Sequence, residues 1–349
     1  MQAFPDDPFA FLLGALVFLM AAGALCHVLV KKRDSRGAVA WVGLILFVPA
    51  LGPVIYWLFG INRVARRAGR LEGLRQPAPG MLDAESARAA SLDAARRALP
   101  VDRRYLSRIA RRVETLATHS VDAGNRVEPL ENGEAAYEAM IEAIYGAERT
   151  VAISSYIFRH DGVGDRFAQA LERAKDNGVA VRVLIDGVGA HAGWLSLYRH
   201  LRRAGVPVAR FLFSFVPWRM PYLNMRNHAK LLVVDGRTAF TGGMNIKDAC
   251  LVEEAGAQAV HDVHFKLTGP IVAQVMHRFA ADWRFTTGEA LEGDAWFPAL
   301  QPTGQVVARG IESGPDFEEN PLRWTLLSAI LTARRSIRIV TPYFLPDET

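Results

Sequence analysis

Two cysteines in 349 residues, Cys26 and Cys250, are too few for a disulfide framework or a cysteine-ligated zinc site. No Lys or Arg precedes Lys31, so a cleaved signal peptide, which needs a basic start and a shorter apolar run, fits poorly. A lipoprotein site at Cys26 fails too, because Leu25 stands where a small residue is required. Aromatics are scarce where positive charge is dense. Residues 61–112 hold thirteen arginines against five acids, yet Tyr105 is their only aromatic. Without a row of rings on which bases stack, nucleic acid is disfavoured as a partner.

What is abundant is apolar sequence near the N-terminus. Phe9 to Val30 is long enough to cross a bilayer as a helix. Ala38 to Gly60 is a second such run, with Trp41, Tyr56 and Trp57 placed as interfacial anchors. The 31–36 link and the 62–70 stretch are both basic, and the positive-inside rule keeps both in the cytoplasm. Two full crossings cannot satisfy that. A re-entrant second segment, broken at Pro49 and Gly52-Pro53, does, and the remainder is expected to face the cytoplasm. Residues 61–125 read as an Arg/Ala-rich linker with two open readings. It is a surface for anionic headgroups, at about 1 kcal/mol per basic residue near a membrane, or a solubilising helical connector with a break at Pro77 and Pro79.

From Glu134 onward the pattern alternates between helix and strand. Helices are expected over 134–147, 164–177 and 194–204, and strands over 150–158, 179–185 and 206–213. This alternation predicts an α/β layered domain. Asp186, at the end of a buried strand, is either the rim carboxylate of a site or a cap for the next helix. Further on, residues 260–270 read as a strand, followed by a helix from Ile271 to Trp283.

The chemistry concentrates in residues 224–245. Leu231 to Val234 is a short apolar run, Asp235-Gly236 a hairpin signal, and Thr238 to Thr241 a second strand. In an extended chain His228 and Lys230 share one face. An imidazole that attacks or protonates, beside an ammonium that neutralises oxygens, suits a phosphate. Beyond the hairpin, Gly242-Gly243 permits close backbone approach, and Asn245 offers an amide to the same anion.

The spacing His228-x-Lys230-x4-Asp235-x6-Gly242-Gly243-x-Asn245 resembles the signature of the phospholipase D superfamily. The resemblance implies a phospholipase D-like α/β fold and a reaction that uses no metal or cofactor. It makes His228 the covalent nucleophile or its general-acid partner, with Lys230 and Asn245 holding phosphoryl oxygens. Asp235 is grouped with the catalytic motif, although an Asp before Gly is expected in a hairpin turn in any case. The family fixes the tautomer of the motif His with an acid about thirty residues onward, and Asp262 occupies that place. His264, two residues later, reads as structural. Trp218, Tyr222 and Arg226 are candidates for a headgroup pocket, the first two equally for interfacial anchors.

Ser155-Tyr-Ile-Phe-Arg159, residues 184–189 and the anchor with its Lys31-Lys-Arg-Asp link most resemble the bacterial cardiolipin synthase branch. That implies joining two phosphatidylglycerols into cardiolipin and glycerol through a phosphatidyl-His, with anionic phospholipid as partner. The implied location is the inner membrane, with the catalytic domain facing the cytoplasm. The alternatives are hydrolysis of phosphodiesters on the same scaffold, or a non-catalytic anchored remnant that binds anionic lipid.

Finally, Glu142 to Phe158 aligns without gaps to Ser328 to Phe344, with six of 17 positions identical. A second copy is therefore expected to begin near residue 320, with a helix and then a strand near Ile337 to Pro342. The expected plan is an anchor (1–60), a linker (61–125), a first phospholipase D-like domain (126–300) and the start of a second (301–349). The 349 residues hold one His-x-Lys-x4-Asp motif. The chain thus reads as truncated, with weak or no turnover alone, and with self-association as a less favoured source of the second His.

Overall fold

The computed structural model describes residues 8–32, 35–60, 81–187, 194–212, 227–312 and 321–341. The chain divides into two units, residues 1–74 with 214–224, and residues 75–213 with 225–349.

In the first unit, α1 (Pro8–Lys31) is the one helix among the described residues that is long and apolar enough to cross a membrane. The expected second span is not a continuous helix. Helix α2 (Ser35–Phe47) stops at a turn, and α3 (Leu51–Ile55) follows and runs into a π turn over Tyr56–Gly60. Pro49 and Pro53 lack the N–H that a continuous helix would use. Gly52 sits so close to α2 that a Cβ there would stand 2.5 Å from the Leu44 carbonyl oxygen. Tyr56 then packs back: its hydroxyl is hydrogen-bonded to His27 Nδ1 at 2.6 Å, and its ring meets Trp41 edge-on. The second apolar segment is therefore broken into shorter helical pieces.

In the second unit the strands are β1 (Asp122–Glu131), β2 (Thr150–Ser155), β3 (Ala180–Asp186), β4 (Val208–Phe211), β5 (Leu231–Val234), β6 (Thr238–Gly242), β7 (Val263–Thr268) and β8 (Val306–Ala308). They form one sheet in the order β4-β3-β2-β5-β6-β7-β1-β8. Strands β2, β3 and β4 run parallel, joined by helical crossovers, and the rest pair antiparallel. Helices α4 (Met81–Ala98) and α5 (Ser107–Val113) precede the sheet. Helices α6 (Asn132–Tyr145), α7 (Gly162–Asp176) and α8 (Trp194–Arg203) cover one face, where Tyr137, Phe167 and Leu197 meet Ile153, Val183 and Leu232. Helix α9 (Ile271–Thr287) packs against β2 and β4 to β7. This is the layered α/β domain expected from the alternation.

Two elements differ from expectation. Strand β1 lies partly inside the region read as linker. Its residues are mostly polar and only half-buried, so it lacks the apolar run that marks a strand. The rest of the described linker forms α4 and α5, in keeping with the helical-connector reading. Helix α10 (Pro321–Thr332) forms where the repeat places it, but the expected strand after it does not form through Thr341. Ile337, Ile339 and Val340 are exposed there, without the neighbouring strand that ladder pairing needs.

Asp235 takes the structural place that its Asp-Gly turn suggested. It lies at the far end of β5 from His228, in a tight turn with φ 51° followed by Gly236 at φ 61°. Its Oδ1 accepts from the backbone N–H groups of Arg149 and Thr150, both at 2.8 Å, and its Oδ2 from Glu148 N–H at 3.0 Å. The carboxylate staples the start of β2 to the hairpin. Asp235→Ala is expected to destabilise the fold by about 2–3 kcal/mol, because the buried Thr150 N–H loses a charged acceptor. Thermal unfolding checks this, with lipid turnover per folded molecule expected to hold.

Candidate active site

Five chain segments end at one edge of the sheet. They are the C-terminal ends of β2, β3 and β6 and the N-terminal ends of β5 and β7. The register fixes this, since Ser155 pairs with Ile185, Ser154 with Leu231, Leu231 with Thr241, and Gly242 with His264. In open α/β sheets the carboxyl ends of the parallel strands are where ligands bind.

His228 and Lys230 come together there, as the alternation predicted. The Lys230 ammonium donates to the His228 backbone carbonyl at 2.7 Å and lies 5.3 Å from the centre of the Tyr156 ring. That ring in turn stacks on the His228 imidazole, with centroids 4.1 Å apart and planes inclined by 25°. Tyr156 thus limits the plane in which the imidazole can turn. Partial burial, and then the Lys230 charge, hold the His228 imidazole below its usual pKa, against the opposing pull of Asp186. Burial also pushes the Lys230 ammonium down to about 8, against Asp262 and Asp186. At neutral pH the pair is a neutral imidazole beside a mostly charged ammonium, which is the state a nucleophile and an anion clamp require.

Asn227 sets the approach to this pair. Its N–H donates to Asp186 Oδ2 at 2.9 Å, its Nδ2 to Asp282 Oδ2 at 2.9 Å, and its Oδ1 accepts from Ala229 N–H at 3.0 Å. Asp282 is buried, and burial pushes its carboxyl up to about 6 despite the Arg278 guanidinium beside it. Buried Asp186 therefore acts on the site through Asn227 and through its charge. The helix-cap alternative for Asp186 rests on residues 188–193, outside the described residues.

Asn245 is fixed on its acceptor side. Its Oδ1 accepts from Ile157 N–H at 3.0 Å, and its backbone carbonyl accepts from the Tyr137 hydroxyl at 2.5 Å. The Nδ2 amide is the end left to donate. Asp262 is held differently from expectation. Its Oδ1 accepts from Val263 N–H at 2.8 Å, and no hydrogen bond joins it to His228 among the described residues. Its charge acts on Lys230 instead. Trp218, Tyr222 and Arg226 lie outside the described residues.

The glycine pair is explained by what faces it. A Cβ at Gly243 would stand 2.7 Å from Asp262 Oδ2, and one at Gly242 would stand 2.6 Å from His264 Nδ1. Each glycine makes room for one member of the Asp262-x-His264 pair. His264, read from sequence as structural, is 2% exposed and borders the same opening as Lys230.

Comparison with known proteins agrees with this geometry. A family described as cardiolipin synthase, PLD-like domain, matches residues 140–283, and one described as phospholipase D-nuclease N-terminal matches residues 13–60. Cardiolipin synthase A of Pseudomonas putida is 32% identical over 350 residues, covering 97% of this chain and 70% of the relative. The chain belongs to the cardiolipin synthase family. A cardiolipin synthase A of Pseudomonas fluorescens is 30% identical, across 100% of this chain and 71% of its own length. The chain thus spans about 70% of the length of these cardiolipin synthases. Among solved structures, a phosphatidylserine synthase of Haemophilus influenzae is similar at 16% identity and TM-score 0.44, over 65% of this chain and 58% of that one. The cardiolipin synthase match includes the site residues from Tyr156 to Asp282 and leaves out Tyr137. Of those, sequence reasoning passed over Tyr156, Asn227 and the place of His264. Tyr156 sits inside a segment that carried the resemblance, so its presence was visible and its stacking partner was not.

Proposed function

We propose that this chain is a membrane-associated phosphatidyltransferase that joins two phosphatidylglycerols into cardiolipin and glycerol. The observation that carries the reading is the convergence of the His228 imidazole, the Lys230 ammonium and the Asn245 amide at one sheet edge. A ring nitrogen of His228 attacks the phosphorus of phosphatidylglycerol. The bond from phosphorus to the headgroup oxygen breaks, and glycerol leaves after taking up a proton from water. The resulting phosphatidyl-His228 is then attacked by the headgroup hydroxyl of a second phosphatidylglycerol. The P–N bond breaks, the hydroxyl proton passes to water, and cardiolipin departs. Lys230 and Asn245 neutralise the phosphoryl oxygens as charge builds on them. Tyr156 holds the imidazole plane, and Asp186 with Asn227 sets its height at the end of the sheet.

The proposed location is the inner membrane, with the second unit on the cytoplasmic side, as the basic 31–36 and 62–70 stretches favour. The proposed first catalytic domain spans about residues 126–300, with β1 as its opening strand. Product analysis with phosphatidylglycerol in mixed micelles tests the reaction: cardiolipin with glycerol supports transfer, whereas phosphatidic acid alone makes the chain a hydrolase.

A second surface favours anionic lipid. A cleft of about 380 Å³ in the second unit shares no lining residue with the His228 site and is lined by no imidazole. It is lined by Arg96, Arg104, Arg108, Arg111 and Arg334, with Asp93 and Asp102. Arg334 lies over the Tyr105 ring at 4.1 Å. The chemistry belongs at the sheet edge, and this cleft is proposed to keep the protein at an anionic bilayer. Replacing Arg104, Arg108 and Arg111 together by Ala is expected to cost about 3 kcal/mol of binding at low salt, near 100-fold. Affinity for phosphatidylserine in neutral-detergent micelles measures this, and the difference should shrink at high salt.

A further inference from the structure

Lys230 has three N–H donors and no acceptor. One donor goes to the His228 carbonyl at 2.7 Å, and the phosphate takes a second if the function proposed above is right. A third donor is then left. Beside Lys230 is a cavity of about 10 Å³ that Lys230 borders together with His264, Ser154, Ser155 and Tyr137, lined elsewhere by apolar side chains. That volume is near the least that admits one water, and a buried water needs two to four polar partners.

His264 supplies such a partner. It is 2% exposed, and neither ring nitrogen has a hydrogen-bond partner in the protein. A buried imidazole left so is costly, and such groups are normally satisfied by protein or by ordered water. The ring has no room to swing away, because it fills the space of the missing side chain at Gly242. The other hydroxyls of the cavity are already committed. Ser155 Oγ donates to the Ile157 carbonyl at 2.7 Å, and the Tyr137 hydroxyl donates to the Asn245 carbonyl at 2.5 Å. Ser154 is the hydroxyl that remains. Burial and the charge of Lys230 push the His264 imidazole down to about 4, so at neutral pH it is uncharged, with one N–H and one lone pair.

We propose that His264 is a positioning residue for Lys230, acting through one buried water. Lys230 donates to the water, the water donates to the lone pair of His264, and Ser154 completes its shell. With two of its three donors held in this way, the ammonium presents the third to a phosphoryl oxygen. The Asp262-x-His264 pair then serves Lys230 twice, by charge from Asp262 and by direction from His264. The inference rests on the phosphate-holding role of Lys230, so its test has one arm that needs no turnover.

In the full chain, H264F replaces the imidazole with an apolar ring of similar size, and H264Q keeps a side-chain hydrogen-bonding group. H264F is expected to lower kcat about tenfold or more with KM within about twofold, and H264Q to return kcat to within about threefold of wild type. Wild-type kcat in H264F, or H264Q as slow as H264F at an unchanged Tm, overturns the proposal. The second arm is a high-resolution crystal structure of the wild-type chain. Density for one water within hydrogen-bonding distance of both His264 and Lys230 supports the bridge, and its absence overturns it, including where H264F fails to fold. Density for the water in a chain that converts no lipid leaves the bridge standing and removes the transferase reading.

Discussion

His228→Ala is expected to abolish lipid transfer, lowering the rate by at least about 10⁴-fold, because removing a covalent nucleophile removes the intermediate itself. Stability should hardly change. His228 is exposed, stacks on the Tyr156 ring, and makes no hydrogen bond through its ring among the described residues. The comparison to make is kcat with phosphatidylglycerol alongside thermal unfolding. A variant that keeps more than a hundredth of wild-type turnover at an unchanged Tm would remove His228 from the chemistry.

Lys230→Ala is expected to lower kcat by about 10²–10³-fold, the range for losing one oriented donor to a developing anion. The pH dependence gives a sharper reading of the same residue. The His228 pKa is held below its usual 6.5, so the neutral, nucleophilic imidazole persists to lower pH than a free imidazole does. As pH rises through that value, kcat/KM rises. The Lys230 pKa is pushed down to about 8, so above that pH the clamp loses its charge and kcat/KM falls. A bell is expected, with an acid limb below 6.5 and an alkaline limb near 8. Lys230→Arg should be slower than wild type but should lose the alkaline limb, because a guanidinium stays charged throughout the range. An alkaline limb that persists in Lys230→Arg would mean that another group sets it.

The fold and the core of the site were legible because they rest on local rules. Two-residue alternation placed His228 and Lys230 together, and the Asp-Gly turn fixed the β5–β6 hairpin. What escaped depends on contacts made across the sheet. Strand β1 is polar and half-buried, so it carries little alternation, and only its pairing with β7 reveals it. The reason for Gly242-Gly243 lies in Asp262 and His264, some twenty residues on, and appears only once β6 and β7 are in register. Asp235 was open to two readings. Its place in the motif suggested chemistry and its Asp-Gly turn a structural role, and its three backbone amides show a staple at the far end of the strand. The second apolar segment was long enough to span, but Pro49, Gly52 and Pro53 bend it, and a length criterion does not see a bend.

The most direct measurement is to quench the full chain during turnover with phosphatidylglycerol and map the modified peptide by mass spectrometry under alkaline conditions, where a P–N bond survives. A phosphatidyl group on the peptide that contains His228, absent in His228→Ala, is the predicted result. Cardiolipin forming with no adduct at His228, or with the adduct on another residue, would contradict the account.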